Sequence, residues 1–244
     1  MTWQHNIIEY KNFLKLEKNA SPNTIDAYLK DIDKLKSFME IEYKNINLIA
    51  INRTMIEEFL VYLIENFAIQ ESSQARIISG IKSFFNFLVY QNLLENNPTE
   101  LLEMPKIKRK LPDTLSFEEI EKMLESIDLS TEQGTRDRAI LEVLYSCGLR
   151  ISELLALKIS EIQLDIQLIK VIGKGNKERI VPIGSDAIKY LRLYYDGYRR
   201  LKNVNENSKD FLFLNLQGST LSRISVFNMI KKIATQVGIK KSIS

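Results

Sequence analysis

The amino-acid sequence predicts a mainly α-helical protein with a small β component, divided into two domains. Three observations support this. The 244 residues exceed the usual size of a single domain. Apolar residues recur at helical spacing through the first hundred residues. Further on, two β-rich segments flank a glycine-containing turn. We therefore expect a four-helix bundle, a linker and an α+β domain, with boundaries at 1–103, 104–115 and 116–244.

Four amphipathic helices are predicted in the first domain. The first carries an apolar stripe from Trp3 to Leu16, and the second opens at Ser21-Pro22, where serine caps the helix and proline takes its first position. The third begins near Asn52, and the fourth begins after Ser72 and continues toward Asn97-Pro98. Because the aromatic side chains keep the helical period, we assign them to the core of the bundle rather than to base stacking.

A basic segment interrupted by prolines separates the two domains. Its four cations lie close together in the sequence: Lys106, Lys108, Arg109 and Lys110. Two interpretations are open. The segment is a solvated linker, or it lies along a nucleic-acid backbone, where each lysine or arginine displaces counterions.

The second domain is predicted to consist of helices around one β-hairpin. Ser116 and Glu119 form a capping box for its first helix, and a buried helix from Asp137 to Ser146 ends at Gly148 in a left-handed conformation. The remaining elements are, in order, a short helix at 152–157, a hairpin of strands 168–172 and 179–182, a helix capped by Ser185 or Asp186, a buried run at 211–214 and a helix at 222–237. The polar tail after Gly238 closes no further element.

Composition narrows the chemistry. The net charge of +3 permits an acidic partner without requiring one. The single histidine, His5, excludes a histidine-based mechanism, and we expect neither a metal nor a cofactor. The single cysteine, Cys147, excludes an internal disulfide and is expected to be a buried structural thiol in a reducing compartment. No apolar run approaches the ~20 residues of a membrane span, so we expect a soluble cytoplasmic protein.

Two basic motifs carry the predicted chemistry. The first, Gly148-Leu149-Arg150-Ile151-Ser152-Glu153-Leu154, places Arg150 between two helices in an apolar segment. A buried arginine there needs an anion, which is either Glu153 one turn away or a bound phosphate. The second, Gly173-Lys174-Gly175-Asn176-Lys177-Glu178-Arg179, is a turn whose glycines permit close approach of another molecule. It lacks the P-loop pattern, and it is either a plain exposed tip or a binding element.

Together, these motifs resemble the tyrosine recombinase (phage integrase) family, and most closely its bacterial Xer-type members. The first motif is similar to the family's first arginine box, and the second to the hairpin that carries its catalytic lysine. The two motifs also keep the family's order and separation. The first domain, with Ser21-Pro22-Asn23-Thr24 leading into Tyr28, is similar to the family's SAM-like core-binding domain.

The resemblance implies site-specific breakage and rejoining of DNA through a 3′-phosphotyrosyl intermediate, without a cofactor. Arg150 would hold the scissile phosphate, Lys174 would protonate the leaving 5′ oxygen, and Glu153 would support them. Further DNA contacts are expected at Thr24, Tyr28, Arg76, Lys82, Lys106, Lys108, Arg109, Lys110, Lys177 and Arg179. The implied partners are double-stranded DNA with inverted-repeat arms and other recombinase protomers, which form a tetramer in the intact family.

The sequence also departs from the family pattern. After a helix equivalent to that ending near Gly238, the family continues with a His-x-x-Arg box, a histidine or tryptophan, and the tyrosine nucleophile. Here no histidine follows His5 and no tyrosine follows Tyr198. We therefore expect these residues to be the larger part of a recombinase, able to bind DNA but not to cleave it. The alternatives are a non-enzymatic DNA-binding regulator or dominant-negative fragment on the same scaffold, and a helical interaction protein without DNA affinity.

Overall fold

The computed structural model of the chain describes residues 2–44, 46–107, 113–173, 175 and 177–243. The chain forms two compact units, Met1–Lys110 and Leu111–Ser244. Their division lies inside the predicted linker, whose limits stay a prediction. Within the described ranges, no helix has both the length and the apolar character needed to cross a membrane.

The described part of the first unit is a bundle of α-helices, as the apolar spacing predicts. Its helices are α1 (Trp3–Leu16), α2 (Pro22–Glu42), α3 (Arg53–Phe67) and α4 (Glu71–Tyr90). The predicted cap of α2 is confirmed, because the side chain of Ser21 accepts a backbone N–H at the start of this helix. Asn52, near which the third helix was predicted to begin, accepts the N–H of Met55 and caps α3. A short 3₁₀ turn, Leu48–Ala50, precedes α3.

The limits predicted for the fourth helix are wrong at both ends. It begins at Glu71 rather than after Ser72, and it ends at Tyr90 rather than near Asn97. Asn92 takes a left-handed backbone with φ of 55°, and the N–H of Leu93 turns back to the carbonyl of Leu88. Asparagine tolerates this conformation better than most residues, so it ends the helix early.

Aromatic rings fill the centre of this bundle. Tyr10, Phe59, Phe84 and Phe85 are fully buried, and the rings of Tyr10 and Phe84 meet edge to face with centroids 5.2 Å apart. The assignment of these aromatic residues to the core is therefore confirmed.

The second unit surrounds a small antiparallel sheet with helices. The helices are α5 (Phe117–Glu125), α6 (Glu132–Cys147), α7 (Ile151–Leu155), α8 (Ser185–Tyr194) and α9 (Arg223–Gln236). The strands are β1 (Ile162–Gln163), β2 (Leu168–Ile172) and β3 (Glu178–Pro182), in the order β1-β2-β3. Ile169 and Val171 of β2 are buried in the same core as α6 and α8, so the hairpin is fixed to the unit by its central strand.

Most predicted elements of this unit are confirmed, including the Ser116–Glu119 capping box and the left-handed Gly148, whose φ is 57°. Cys147 is buried as expected, and burial raises the pKa of its thiol. Three details differ. The helix α6 begins at Glu132, capped by Thr131, rather than at Asp137. The strand β1, only two residues long, was not predicted.

The third difference is the cap of α8. Gly184, not Ser185 or Asp186, is the N-cap, and its N–H donates to the hydroxyl oxygen of Ser146 at 2.8 Å. Because the capping group comes from α6, it could not be found beside the helix that it caps.

The segment after α9 packs onto the unit rather than lying apart from it. Ile239 and Ile243 contact a small apolar cluster formed around Met123 and Ile233. The ammonium group of Lys241 donates to the Glu119 carboxylate at 2.8 Å and to the Thr114 carbonyl at 3.0 Å. The tail adds no helix or strand, as expected, but it holds α5 and α9 together.

Candidate functional site

Arg150 lies at the junction of two helices. The left-handed Gly148 ends α6, and Arg150 is the N-cap of α7, with an extended backbone (φ −70°, ψ 149°). Its side chain is 73% exposed, so the expectation of a buried arginine is wrong. The neighbouring leucines, Leu149 and Leu154, enter the core instead, and the capping position turns the arginine outward. The result is a cation presented to solvent from a rigid corner of the backbone.

Glu153 is the buried partner of Arg150. Its side chain is only 4% exposed. Its Oε2 accepts the backbone N–H of Arg150 at 2.9 Å, and its Oε1 accepts Nη1 of Arg150 at 3.0 Å. The ion pair considered from the sequence is therefore present. Within the described residues it engages one of the five guanidinium N–H groups, so this pairing and the binding of a phosphate are compatible.

Arg179 reaches the same carboxylate from strand β3. Its Nη1 donates to Oε1 of Glu153 at 2.9 Å and its Nη2 to Oε2 at 2.8 Å, which is the bidentate geometry of a strong arginine–carboxylate pair. Hydrogen bonds from Arg179, and then those from the backbone and side chain of Arg150, lower the pKa of Glu153 to about 2, against the effect of burial. The Glu153 carboxylate therefore stays ionised at neutral pH.

Gly173 lies directly against this ion pair. Its N–H donates to the carbonyl of Lys177 at 2.8 Å and closes the hairpin. A Cβ atom at this position would lie 3.1 Å from Nη1 of Arg179 and 3.3 Å from Oε1 of Glu153. Gly175 serves the turn differently, because its φ of 74° is a conformation that other residues rarely adopt. Gly173 is therefore needed for space beside the ion pair, and Gly175 for its backbone conformation.

Several predicted residues lie outside the described part of the chain. These are the catalytic candidate Lys174 and the linker cations Lys108, Arg109 and Lys110. Of the remaining linker and hairpin candidates, Lys106 and Lys177 are exposed. In the sequence, Lys174 follows Gly173, the residue that touches the Arg179–Glu153 pair.

In the first unit, the predicted Arg76 is held by an acid that the sequence did not single out. Asp31 of α2 is 1% exposed, whereas Arg76 of α4 is 43% exposed. Both terminal nitrogens of Arg76 donate to this carboxylate, with Nη2 and Oδ1 2.9 Å apart. Tyr28 is half-buried beside them, and a Cβ atom on Gly80 would lie 3.2 Å from both the Tyr28 ring and Oδ2 of Asp31. Tyr28 and Arg76 therefore share one surface.

Thr24 and Lys82, the other two predicted DNA contacts of this unit, also form hydrogen bonds within the chain. The hydroxyl groups of Thr24 and Ser21 are 2.8 Å apart at the start of α2. The ammonium group of Lys82 donates to the carbonyl of Leu102 at 2.8 Å. These side chains are partly exposed, so such bonds fix their direction without removing them from the surface.

Sequence reasoning missed two features of these sites. The partner of Glu153 is 26 positions away and the partner of Arg76 is 45 positions away. Helical spacing pairs residues only three or four apart, so it could find the Arg150–Glu153 pair but neither of these. A lone acid on an otherwise apolar helix face, as at Asp31, is the one local signal that was available.

Models of known families match both units. The model of the phage integrase family matches residues 113–244, and that of the phage integrase N-terminal SAM-like domain matches residues 7–92. The chain is 42% identical over 240 residues to a protein of Staphylococcus saprophyticus named tyrosine recombinase XerD, and the match covers 98% of this chain and 80% of that protein.

Solved structures show the same architecture. The XerH site-specific recombinase bound to its palindromic difH substrate, in a post-cleavage complex, matches with a TM-score of 0.74 and 25% identity, over 98% of this chain and 74% of that chain. A lambda integrase dimer bound to a COC′ core site matches with a TM-score of 0.72 and 17% identity, over 98% of this chain and 82% of that chain. The second likeness concerns the fold alone. The predicted fold class is confirmed.

Proposed function

Because the chain belongs to the phage integrase family, whose Xer-type members are site-specific tyrosine recombinases, we propose that it binds duplex DNA and places Arg150 against the scissile phosphate. Lys174 acts as the general acid toward the leaving 5′ oxygen, and Glu153 supports Arg150. The partners are duplex DNA with inverted-repeat arms and further recombinase protomers. The site of action is the cytoplasm.

The observation that carries this proposal is the pairing of an exposed Arg150 with a buried Glu153. A phosphate that is attacked by a nucleophile gains negative charge on its non-bridging oxygens. A cation fixed in advance stabilises that charge without reorganising, and removing one such donor lowers the rate by roughly 10²–10³-fold. Glu153 fixes the Arg150 backbone and one guanidinium nitrogen, and the remaining N–H groups of this exposed side chain are left for a phosphate.

The reaction is a pair of transesterifications. A tyrosine hydroxyl loses its proton to water as its oxygen attacks phosphorus, the bond to the 5′ oxygen breaks, and that oxygen takes a proton from Lys174. The 3′-phosphotyrosyl bond keeps the energy of the broken phosphodiester, and a 5′-hydroxyl then reverses the step. No nucleotide is consumed.

We propose that residues 1–244 by themselves bind DNA without cleaving it. Tyr194 is buried, stacks on Phe213 and accepts the backbone N–H of Leu214 through its hydroxyl, so it is a packing residue. Tyr145 is exposed on α6, and Tyr195 and Tyr198 are partly exposed, so Tyr145 is the first of the tyrosines that the test must exclude.

Contacts to the remaining DNA backbone come from the cations and polar groups predicted above. In the first unit these are Thr24, Tyr28 and Lys82, whose positions on α2 and α4 support a single binding face. Arg76, whose terminal nitrogens both donate to the buried Asp31, supports this face from within rather than contacting a phosphate. The linker contributes Lys106, Lys108, Arg109 and Lys110, and the hairpin contributes Lys177. The logarithm of the binding constant falls linearly with the logarithm of the salt concentration, and each phosphate contact steepens this slope by about 0.9.

The test is a gel shift on duplex DNA with inverted-repeat arms, run natively over a range of salt and again after SDS. We expect a native shift that weakens with salt and disappears in SDS. Arg150→Gln should weaken binding and reduce the slope of log K against log [salt] by about 0.9, the value for one phosphate contact. Arg192→Gln, which removes an exposed arginine outside the predicted contacts, is the matched control.

Two outcomes would contradict the proposal. Absence of a native shift at low salt would exclude DNA binding by these residues and favour the helical interaction protein. An SDS-resistant band would show a covalent adduct, and its loss in Tyr145→Phe would identify Tyr145 as the nucleophile.

A further inference from the structure

We propose that Arg179 is a positioning residue: it fixes the Glu153 carboxylate so that Glu153 can hold Arg150, and it does not itself contact a DNA phosphate. This rests on the proposed function, in which Arg150 binds the phosphate. It replaces the sequence-based expectation that Arg179 is one of the DNA contacts.

The guanidinium of Arg179 is already engaged. Both of its terminal nitrogens donate to Glu153, at 2.9 and 2.8 Å, and the bond with Glu153 raises the pKa of Arg179 further. The side chain is 39% exposed, so its outer edge meets solvent while its hydrogen-bonding fork points inward. An arginine that turned to a phosphate would have to leave a buried carboxylate without these two donors.

Each oxygen of Glu153 is shared between the two arginines. Oε1 accepts Nη1 of Arg150 and Nη1 of Arg179, and Oε2 accepts the backbone N–H of Arg150 and Nη2 of Arg179. A bidentate fork is planar and therefore fixes the plane of the carboxylate. With that plane fixed, Oε1 presents a constant acceptor to Nη1 of Arg150. A lysine at position 179 would supply the charge as a point but not the fork.

Charge supports the same role. One carboxylate between two guanidinium groups leaves a net charge of about +1 on the cluster. Without Arg179, Glu153 would neutralise Arg150 alone, and a phosphate would meet a pair with no net charge. Arg179 therefore keeps Arg150 both oriented and effectively positive.

The ion pair also joins two segments that the proposed reaction needs together. Arg179 lies on β3 opposite Val171 of β2, and Glu153 lies on α7, whose N-cap is Arg150. Gly173, which immediately precedes Lys174 in the sequence, leaves room for the pair. Movement of the hairpin relative to α7 is thus opposed by two charged hydrogen bonds.

The deciding experiment is a double-mutant cycle on DNA affinity in the 244-residue chain. The single variants are Arg150→Gln and Arg179→Lys, and the double variant combines them. We expect each single variant to weaken binding roughly tenfold, since each removes charge-assisted hydrogen bonds, and the double variant to bind no more weakly than Arg150→Gln. Additive losses would show that Arg179 acts on DNA independently and would overturn the inference.

A matched control uses Lys177, an exposed cation of the same hairpin. Lys177→Gln should lower the salt slope by about 0.9, as expected for a direct phosphate contact. Arg179→Lys keeps the positive charge, so a phosphate contact that depended on charge alone would leave the affinity at its wild-type value. Full rescue by lysine would therefore contradict positioning.

A measurement without DNA separates this inference from the proposed function. The Nε–H order parameter of Arg150 and the carboxyl titration of Glu153 are followed by NMR in the same variants. In Arg179→Lys we expect a lower order parameter for Arg150 and a Glu153 pKa above its value of about 2 in the wild type, with no change in Lys177→Gln. Unchanged values would overturn positioning by Arg179, even if DNA binding were intact.

Should Arg179→Lys perturb the fold, Gly173→Ala gives a second route, because it keeps every charge and crowds the contact between Nη1 of Arg179 and Oε1 of Glu153. A shift of the Arg150 order parameter in the same direction supports the inference. No shift in a variant whose Arg179 side chain is displaced contradicts it. If Arg150→Gln leaves DNA affinity unchanged while the NMR changes occur, the phosphate-binding role fails and the positioning stands.

Discussion

Each unit contains a buried carboxylate that holds a half-exposed arginine, and the two pairs differ in their electrostatics. Asp31 holds Arg76 in the first unit, and Glu153 holds Arg179 in the second. Burial raises the pKa of Asp31 despite its arginine, whereas the pKa of Glu153 is lowered to about 2. The two arginines are therefore held in similar geometry, but the pKa values of the two acids shift in opposite directions.

The two carboxylates differ in the hydrogen bonds that they accept and in the largest effect on their pKa values. Among the described residues, Asp31 receives hydrogen bonds from Arg76 alone. Glu153 also receives the backbone N–H and the guanidinium of Arg150. A buried ion pair with one partner need not repay its desolvation, whereas added donors stabilise the charged form. Burial therefore dominates the pKa of Asp31, whereas hydrogen bonds from Arg179 and Arg150 dominate the pKa of Glu153.

The largest expected effect is on stability. Glu153→Gln should lower the free energy of unfolding of the second unit by about 1.5–3 kcal/mol at neutral pH, because it weakens hydrogen bonds to a charged group. Asp31→Asn should change that of the first unit by less than about 1 kcal/mol, because the loss is offset by relief of desolvation. Trp3, the only tryptophan, reports the first unit by fluorescence in urea, and amide exchange in β2 reports the second.

Glu178→Gln is the control for the second unit, since Glu178 is exposed in the same hairpin and pairs with Lys170. It should change the free energy of unfolding by less than about 1 kcal/mol. Equal losses in Glu153→Gln and Asp31→Asn would remove the distinction between the two sites.

Acid should act on the two sites in opposite directions. The pKa of Glu153 is about 2 in the folded state against 4.5 for the free side chain. The unfolded state thus binds more protons between these values, and the contribution of Glu153 is lost as the pH falls through this window. The folded pKa of Asp31 lies above 3.8, so the cost of keeping this buried carboxylate ionised disappears on acidification.

Urea unfolding at several pH values tests this. The difference in unfolding free energy between wild type and Glu153→Gln should narrow as the pH falls below 4.5. For Asp31→Asn, any gain in unfolding free energy over the wild type at neutral pH should disappear in acid. Parallel pH profiles for the two variants would mean that the two carboxylates share one environment.

A smaller effect is expected from the glycines that touch the carboxylates. Gly173→Ala should destabilise the second unit by about 1 kcal/mol, since the new methyl group crowds Arg179 and Glu153. Gly80→Ala meets Asp31 and Tyr28 at similar distances, but alanine gains about 1 kcal/mol of helix propensity inside α4. Its net effect on unfolding in urea should therefore lie near zero. A loss at Gly80 as large as that at Gly173 would contradict this compensation.

The smallest effect is expected at Tyr10, whose pKa is raised mainly by burial and also by the charge of Asp31. Ser83 is close enough to oppose that rise, but the Tyr10 hydroxyl has no partner with hydrogen-bond geometry among the described residues. Tyr10→Phe keeps the ring contacts and should change the free energy of unfolding by less than about 1 kcal/mol, in the stabilising direction. A clear loss of stability in urea would show that the hydroxyl does have a partner.

Local features of the sequence predicted most of the fold. Serine with proline at Ser21-Pro22, the capping box at Ser116 and the glycine at position 148 each act within a few residues, and each is found as predicted. The start of α6 was missed because Arg136 and Asp137 are polar, yet both are buried as an ion pair. Periodicity of apolar residues cannot identify a helix turn that enters the core through charges.

The candidate site also contains features that local sequence predicts and features that it does not. Arg150 and Glu153 lie three positions apart, so their pairing followed from helical spacing. The exposure of Arg150 did not, because its apolar neighbours suggested burial while the capping position turns its side chain outward. The roles of Arg179 and Asp31 depend on which distant segments meet, and that information is tertiary.

The four hydrogen bonds at Glu153 join only residues between Arg150 and Arg179, and the longest spans 26 positions. Closing a loop of this length is inexpensive in chain entropy, since each doubling adds only about 0.6 kcal/mol. A ribosome that adds roughly 5–20 residues per second synthesises this whole stretch before α8 and α9. The charged frame of the site is thus encoded in one continuous segment, and α8 contributes to the core beneath it.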